Sequence, residues 1–182
     1  SIIGADSATT IIDISDSSFP TKIAISADSS QSIIISNLTI QNAYYALKFY
    51  NVDNSKIENI NFKDNVNGLN YENSDTSLIQ NNKFYNHQMS IYFSESNENI
   101  LQNNLIENST AYEALKLINS SNFNIIDGNH IINNSKIALH LYNAQSNTIK
   151  NNLIKNTADS GLVLYNSSDN IVTSNIITEN SG

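Results

Sequence analysis

Two residues of this chain have the types and the spacing for acid–base chemistry. Asp127 and Lys150 are 23 residues apart, which is one period of an internal repeat, so their side chains are expected to be stacked neighbours about 5 Å apart. A lysine there can act as a base or can neutralise the carboxylate of a uronic acid sugar. No arginine, second close carboxylate or long insertion accompanies the pair. The sequence therefore favours an exposed ion pair over a catalytic site.

The tyrosines offer a second kind of chemistry, the packing of a sugar ring on an aromatic face. Tyr142 and Tyr165 are one repeat apart and are predicted to point outward in the same column. Tyr85 and Tyr92 are predicted to lie near each other across a corner of the fold. These four residues are candidate glycan contacts, and ordinary surface tyrosines of a β-sheet are the alternative.

Few residues of the chain can bind a metal. Cysteine is absent, the only methionine is Met89, and His87, His130 and His140 fall at different positions of the repeat. Zinc and copper sites need several such ligands together. The Gly-Gly-x-Gly-x-Asp calcium repeat is also missing. We predict no metal and no other cofactor.

The elements that must position these residues come from the repeat itself, in which apolar residues recur at three places. Successive members of the first position are 22, 22, 22, 25, 23 and 23 residues apart: Ile35, Ile57, Ile79, Leu101, Ile126, Ile149 and Val172. The second position follows five residues later: Ile40, Phe62, Phe84, Ile106, Ile131, Ile154 and Ile177. The third is a pair with one residue between its members: Leu47/Phe49, Leu69/Tyr71, Ile91/Phe93, Leu115/Leu117, Leu139/Leu141 and Leu162/Leu164. Period-two spacing within short segments indicates strands with one buried face.

The joints between these strands repeat as well. Asparagine tolerates left-handed backbone angles and bonds to nearby backbone, so stacked corner asparagines are predicted to form structural ladders. The first ladder comprises Asn82, Asn104, Asn129, Asn152 and Asn175, and the second comprises Asn86, Asn108, Asn133 and Asn156. A small residue precedes each third strand: Ala46, Gly68, Ser90, Ala114, Ala138 and Gly161.

Three strands per repeat predict an all-β fold, a parallel β-helix of about eight coils that forms a single domain over residues 1–182. The crossover rule for parallel strands makes this a right-handed parallel β-helix. A leucine-rich repeat has a similar period, but it needs a helical or extended return, whereas the segments here are rich in Asn and Ser with Ile at strand spacing. Residues 147–156 (Asn-Thr-Ile-Lys-Asn-Asn-Leu-Ile-Lys-Asn) and 161–168 (Gly-Leu-Val-Leu-Tyr-Asn-Ser-Ser) resemble the repeat of NosD-like and pectate-lyase-like proteins.

That resemblance covers roughly residues 30 to 182 and implies the fold and, with the crossover rule for parallel strands, its right hand. It implies no single activity, because the fold is shared by lyases, hydrolases, epimerases, adhesins and inert surface proteins. It does not bring copper binding to this chain, because the histidines are scattered.

Two features suggest protein partners. Leu78, Ile100 and Ile125 are predicted to form an outward apolar stripe over three coils; the alternative is that the assignment is shifted by one residue and they are core. The last repeat stops at Gly182, before its third strand. Either the coils continue in a longer protein, or the open end binds a neighbouring domain or another copy of the chain.

The charge and composition of the chain argue against two classes of function. The net charge of −8 argues against nucleic acid, and no stretch approaches 18 apolar residues, which argues against a membrane span. Asn119 and Asn166 are the better glycosylation acceptors, because Asn108 and Asn133 are expected to point inward. We predict a non-catalytic structural or adhesive module of an exported cell-surface or filament-forming protein. The alternatives are a glycan-binding module and a pectate-lyase-like carbohydrate-active enzyme.

Overall fold

A computed structural model describes residues 1–15 and 21–182. The strands of this part of the chain form three parallel sheets, of eight, eight and seven strands. Sheet A contains β1 (Ile2–Ile3), β4 (Ile34–Ser36), β7 (Lys56–Glu58), β10 (Leu78–Gln80), β13 (Ile100–Gln102), β16 (Ile125–Asp127), β19 (Thr148–Lys150) and β22 (Ile171–Thr173). Sheet B contains β2 (Ile11–Asp13), β5 (Thr39–Gln41), β8 (Asn61–Lys63), β11 (Lys83–Tyr85), β14 (Leu105–Glu107), β17 (His130–Ile132), β20 (Leu153–Lys155) and β23 (Ile176–Thr178). Sheet C contains β3 (Ile23–Gln31), β6 (Tyr45–Asp53), β9 (Asn67–Glu72), β12 (Met89–Ser94), β15 (Leu115–Ile118), β18 (Leu139–Tyr142) and β21 (Leu162–Tyr165).

The chain visits sheets A, B and C in turn, and each strand pairs in parallel with the corresponding strand of the next coil. This confirms the predicted parallel β-helix with three strands per coil. The described residues form seven complete coils plus β22 and β23 of an eighth, where the repeat predicts about eight. The described residues form no helix that is long and apolar enough to cross a membrane.

The core is built from the three recurring apolar positions. Ile79, Phe84, Ile91 and their equivalents in the middle coils are fully buried. Aromatic rings stack from coil to coil, with Phe62 and Phe84 4.5 Å apart between ring centroids. Equivalent residues stack because the parallel register places the same position of every coil at the strand spacing.

The first row of corner asparagines lies inside the coil and forms a hydrogen-bonded ladder. Asn129 illustrates the pattern: its Oδ1 accepts from the Asn104 backbone N–H at 2.9 Å and from Asn104 Nδ2 at 3.0 Å, and its Nδ2 donates to the Leu101 carbonyl at 2.9 Å. Each amide thus satisfies buried backbone groups of the preceding coil. In the two coils before Asn82, the same position is occupied by buried Leu38 and Ile60, so the ladder belongs to the later coils.

The second row behaves differently from the prediction. Asn108 and Asn133 adopt left-handed angles (φ 58° and 57°), as expected, but Asn133 is exposed and Asn108 half-buried. The prediction that they point inward is therefore wrong. The left-handed residue turns its side chain to solvent and brings the following residue inside, and the same holds for the other members of the row, Asn86 and Asn156. The inward residues at this corner are His87, Ser109, Asn134 and Thr157.

Candidate functional site

The densest group of chemically capable side chains lies on the outer face of sheet C. Five outward residues occupy equivalent positions of successive coils and form what we call the central row: Lys48, Asn70, Tyr92, Lys116 and His140. They alternate with the buried pairs of each strand, such as Leu115 and Leu117. Because neighbours in the row are separated by about 4.8 Å, adjacent side chains can act on one bound molecule.

Glu113 joins the central row from the turn between β14 and β15. Among the coils that follow the first, this turn is the longest of its kind, since Ile106 and Leu115 are nine residues apart whereas Phe84 and Ile91 are seven apart. The extra residues bring the Glu113 carboxylate over the sheet.

One oxygen of that carboxylate holds two partners. Glu113 Oε1 accepts hydrogen bonds from Lys116 Nζ at 2.9 Å and from His140 Nδ1 at 3.0 Å, and we call these three residues the Glu113 clamp. Their side chains are only 13–24% exposed. Burial raises the pKa of Glu113, but the hydrogen bonds from Lys116 and His140 outweigh burial and lower that pKa to about 2. Glu113 is therefore ionised at any physiological pH.

The clamp also fixes the histidine ring. When Nδ1 of neutral His140 donates to Glu113, Nε2 carries no proton and is left as a hydrogen-bond acceptor. Tyr142 lies edge-on to the same ring, with centroids 6.2 Å apart. The site therefore presents a lysine ammonium and an oriented imidazole from adjacent coils.

The other half of the central row consists of Lys48, Asn70 and Tyr92, with the ring of Tyr45 beside Lys48. Lys48 Nζ lies 4.0 Å from the Glu72 carboxylate and 5.2 Å from the centroid of the Tyr45 ring. Burial raises the pKa of Tyr92, so its phenol stays protonated and can donate. Asn70 is 7% exposed, and its buried Oδ1 has no hydrogen-bond partner in the described structure. An unpaired buried amide oxygen is costly in a sheet, but neighbouring atoms cover this oxygen, so a ligand does not reach it in this structure.

The pair predicted from the sequence, Asp127 and Lys150, lies outside the central row. Asp127 and Lys150 are neighbours on sheet A, with Lys150 Nζ 3.4 Å from Asp127 Oδ2. Asn151 Nδ2 also donates to Asp127 at 2.8 Å. Both charged side chains are partly exposed, and the carboxylate is already bonded twice. The arrangement is that of a surface ion pair.

The predicted tyrosine contacts are only partly brought together. Tyr142 and Tyr165 stack in parallel, with centroids 5.1 Å apart and planes 3° apart, so each ring covers one face of the other. Tyr85 lies on β11 of sheet B and Tyr92 on β12 of sheet C, so these two rings belong to different faces. Of the four, Tyr92 is the one in the central row.

The apolar stripe is also placed by the structure. Leu78, Ile100 and Ile125 are in register on sheet A and are half-buried, while the neighbouring Leu101 of β13 is fully buried. The three residues therefore point outward, as predicted, and the alternative that they are core is excluded. The glycosylation candidates Asn119 and Asn166 are exposed at left-handed corners.

The sequence reasoning missed Glu113, Lys116, His140 and Asn70. Asp127 and Lys150 occupy outward positions in the first strand of their coils. The central row occupies the corresponding outward positions in the third strand. The signal for Glu113 is the 25-residue step between Leu101 and Ile126, the longest step in the series from Ile35 to Val172.

Comparisons with known proteins agree with the architecture. The family model for NosD, described as a periplasmic copper-binding protein, matches residues 8–182. A crystal structure of a mutant of the periplasmic alginate epimerase AlgG is similar, with a TM-score of 0.75 and 19% identity over 78% of this chain and 34% of that chain. The A-module of the Azotobacter vinelandii mannuronan C-5 epimerase AlgE6 gives a TM-score of 0.66 and 12% identity over 98% of this chain and 60% of that chain. This chain thus spans about a third of AlgG. No curated protein matches it.

The copper in the family description does not fit the side chains present. Copper is bound by grouped His, Cys and Met ligands. Here His87 is buried inside the coil, His130 lies on sheet B and His140 is held by Glu113. Within residues 1–15 and 21–182, no group of three or more His, Cys, Asp or Glu residues could hold a metal. We therefore derive no role for copper in this chain.

At 19% and 12% identity, the similarity to the epimerases shows only a shared fold. The family match extends over residues 8–182, which is nearly the whole chain. This chain belongs to the NosD family of periplasmic β-helix proteins.

Proposed function

We propose that this chain is an extracytoplasmic β-helix module that holds a polysaccharide against the outer face of sheet C. The observation that carries the proposal is the central row, in which an ammonium, an amide, a phenol, a second ammonium and an imidazole follow one another at the strand spacing. The family description as periplasmic supports an exported protein. The two fold neighbours named above are epimerases of alginate and mannuronan, which are polysaccharides.

The chemistry of the row suits an extended, hydroxyl-rich chain. Sugar hydroxyls both donate and accept, so they can bond to the Lys116 ammonium, to the Tyr92 phenol and to His140 Nε2. A sheet face is long and shallow, and such a surface contacts several residues of a linear polymer at once.

Because the charged side chains on this face are paired within the protein, we favour glycan binding over catalysis on the glycan. Lys116 and His140 are both bonded to Glu113, and Lys48 is paired with Glu72. The module would therefore act in a structural or adhesive way at the cell surface, by keeping a glycan in place.

We expect Lys116→Gln and Tyr92→Ala each to weaken polysaccharide binding about tenfold, because each removes a central hydrogen bond or ring contact. Affinity electrophoresis and calorimetry against alginate and polygalacturonate would measure this. Lys150→Gln on sheet A is the matched control and should leave binding unchanged. Equal losses in Lys116→Gln and Lys150→Gln would show that sheet C is not the binding face.

A second candidate is catalysis on uronic acid sugars, because His140 Nε2, Lys116 and Tyr92 lie on three successive coils. An imidazole acceptor could remove the proton next to the uronate carboxylate while lysine neutralises that carboxylate; the adjacent bond to the glycosidic oxygen would then break, and the Tyr92 phenol could protonate the leaving oxygen. Turnover of mannuronan or polygalacturonate that disappears in His140→Asn would favour this candidate over simple binding.

A separate proposal concerns protein partners. We propose that Leu78, Ile100 and Ile125 contact another protein or a second copy, because an apolar stripe on a solvent-facing sheet is unusual. Ile100→Lys is expected to lower the self-association or partner-bound fraction in analytical ultracentrifugation while the circular dichroism spectrum is unchanged. Thr148→Lys, in the same row, is the control. An unaltered mass distribution in Ile100→Lys would contradict the proposal. Association through the coil ends, with neighbouring domains or another copy, is a further proposal of this kind.

A further inference from the structure

Lys116 and His140 form a seat for an anion that the chain fills with its own carboxylate. Lys116 Nζ and His140 Nδ1 come from adjacent strands of sheet C and converge on one oxygen, Glu113 Oε1, at 2.9 and 3.0 Å. Charge-assisted hydrogen bonds from cationic side chains are among the contacts by which proteins bind carboxylates of ligands. Here the carboxylate is intramolecular.

The carboxylate belongs to a turn and not to the sheet that carries its partners. Glu113 lies between β14 and β15, in the turn that is two residues longer than its equivalents in the three coils immediately before it. The turn is tied to the preceding coil through Thr110 and Tyr112, whose backbone N–H groups donate to His87 and Gln88 at 2.8 and 2.9 Å. Glu113 itself is held over the sheet by Lys116 and His140, so a rotation of its side chain would uncover both donors.

The positions beside the seat are suited to the rest of a sugar. Tyr92 is the neighbour of Lys116 in the central row, and Asn70, with its unpaired Oδ1, is the next residue along. A ligand that carries a carboxylate and hydroxyls could place the carboxylate on Lys116 and His140 and a hydroxyl on the Tyr92 phenol. Uronic acid polymers have this combination of groups.

We infer that Glu113 is a built-in competitor that occupies the carboxylate seat of Lys116 and His140 until a carboxylated glycan displaces it. This inference rests on the proposed function, since it concerns the same face of sheet C. It adds a ligand class, a polyuronate, and a device that limits its affinity. A neutral glycan has no carboxylate to exchange with Glu113 and would be insensitive to the displacement.

Glu113→Gln tests the inference, because glutamine keeps the shape of the side chain and removes the competing charge. We expect the affinity of the full chain for polygalacturonate to rise roughly five- to tenfold, with a steeper dependence on salt and with no change toward neutral dextran. Glu107→Gln, in the same coil on sheet B, changes the net charge equally and is the control. Dextran sulfate in a parallel arm distinguishes a carboxylate seat from a general anion site, which would bind both polymers more tightly.

The outcomes separate the two proposals. A polygalacturonate affinity that falls in Glu113→Gln, or that rises no more than in Glu107→Gln, would overturn the competitor role while leaving glycan binding intact. Absence of any glycan binding by the natural chain and by Glu113→Gln would overturn both. Should Glu113→Gln lose the β-sheet signal in circular dichroism, Glu113→Asp, whose shorter carboxylate is withdrawn from the seat, provides the same comparison.

Discussion

Replacing Asn129 with alanine is expected to lower the free energy of unfolding by about 3–5 kcal/mol. The side chain is fully buried, and its removal leaves the Asn104 N–H and the Leu101 carbonyl without their partners. Each stranded backbone group costs about 1–3 kcal/mol. The amide also bonds to Asn152 Oδ1 at 3.0 Å, so both neighbouring coils are affected.

Urea denaturation followed by circular dichroism would measure this loss. The coils of a solenoid are stabilised mainly by their neighbours, so the transition of the later coils should shift most. Asn133→Gly is the control: the residue is exposed at a left-handed corner that glycine adopts readily, and a change within about 0.5 kcal/mol is expected. A loss below about 1 kcal/mol in Asn129→Ala would mean that the amide ladder contributes little to stability.

The second large effect is a loss of stability in acid caused by His87. This residue occupies an inner corner where the neighbouring coils carry Asn65 and Ser109. Its Nδ1 bonds to the Asn65 backbone oxygen at 3.0 Å, and its buried Nε2 has no partner in the described structure. Burial lowers the pKa of His87 to about 4, against smaller opposing contributions from the backbone of Asn65 and Phe62 and from Asp64.

The direction of the pH effect follows from the pKa of His87, which is lower in the folded chain than in the unfolded chain. The unfolded chain takes up the His87 proton below about pH 6.5, whereas the folded chain resists protonation until about pH 4. The stabilisation is therefore complete above about pH 6.5 and is lost as the pH falls toward 4. Between pH 7.5 and 5 the loss from this group should be on the order of 2 kcal/mol.

Denaturation curves at pH 7.5 and 5 for the natural chain and for His87→Asn would show this loss. Asparagine has no proton to gain and is the residue found at this corner in three other coils, as Asn65, Asn134 and Asn180. We expect the pH-dependent loss to shrink by about 2 kcal/mol in His87→Asn and to persist in His130→Asn, whose histidine is exposed on sheet B. The same pH dependence in His87→Asn and the natural chain would contradict this role of His87.

Most of the fold could be read from the sequence, because inward apolar residues at period two in three places per repeat fix the three sheets. Which of two adjacent corner residues turns inward could not be read. Asn133 and Asn134 are both asparagine, and only the left-handed angle at Asn133 sends the first outward and the second inside. Residue type alone does not distinguish them, since both positions accept an amide.

The candidate site was less accessible to sequence reasoning for a geometric reason. Lys116 and His140 follow from the repeat, because each stands between two inward leucines. Glu113 does not, because it lies in an insertion that breaks the period and reaches its partners only by folding back over the sheet. Asp127 and Lys150 satisfied the same stacking rule but formed a surface ion pair on sheet A.

The binding face is tested most directly by chemical-shift mapping of the isotope-labelled chain during titration with a galacturonate oligosaccharide. Binding on sheet C predicts saturable shift changes at Tyr92, Lys116 and His140 and none at Leu78 and Ile100 on sheet A. Changes confined to sheet A or to the coil ends, or no change at a saturating concentration of the oligosaccharide, would contradict it.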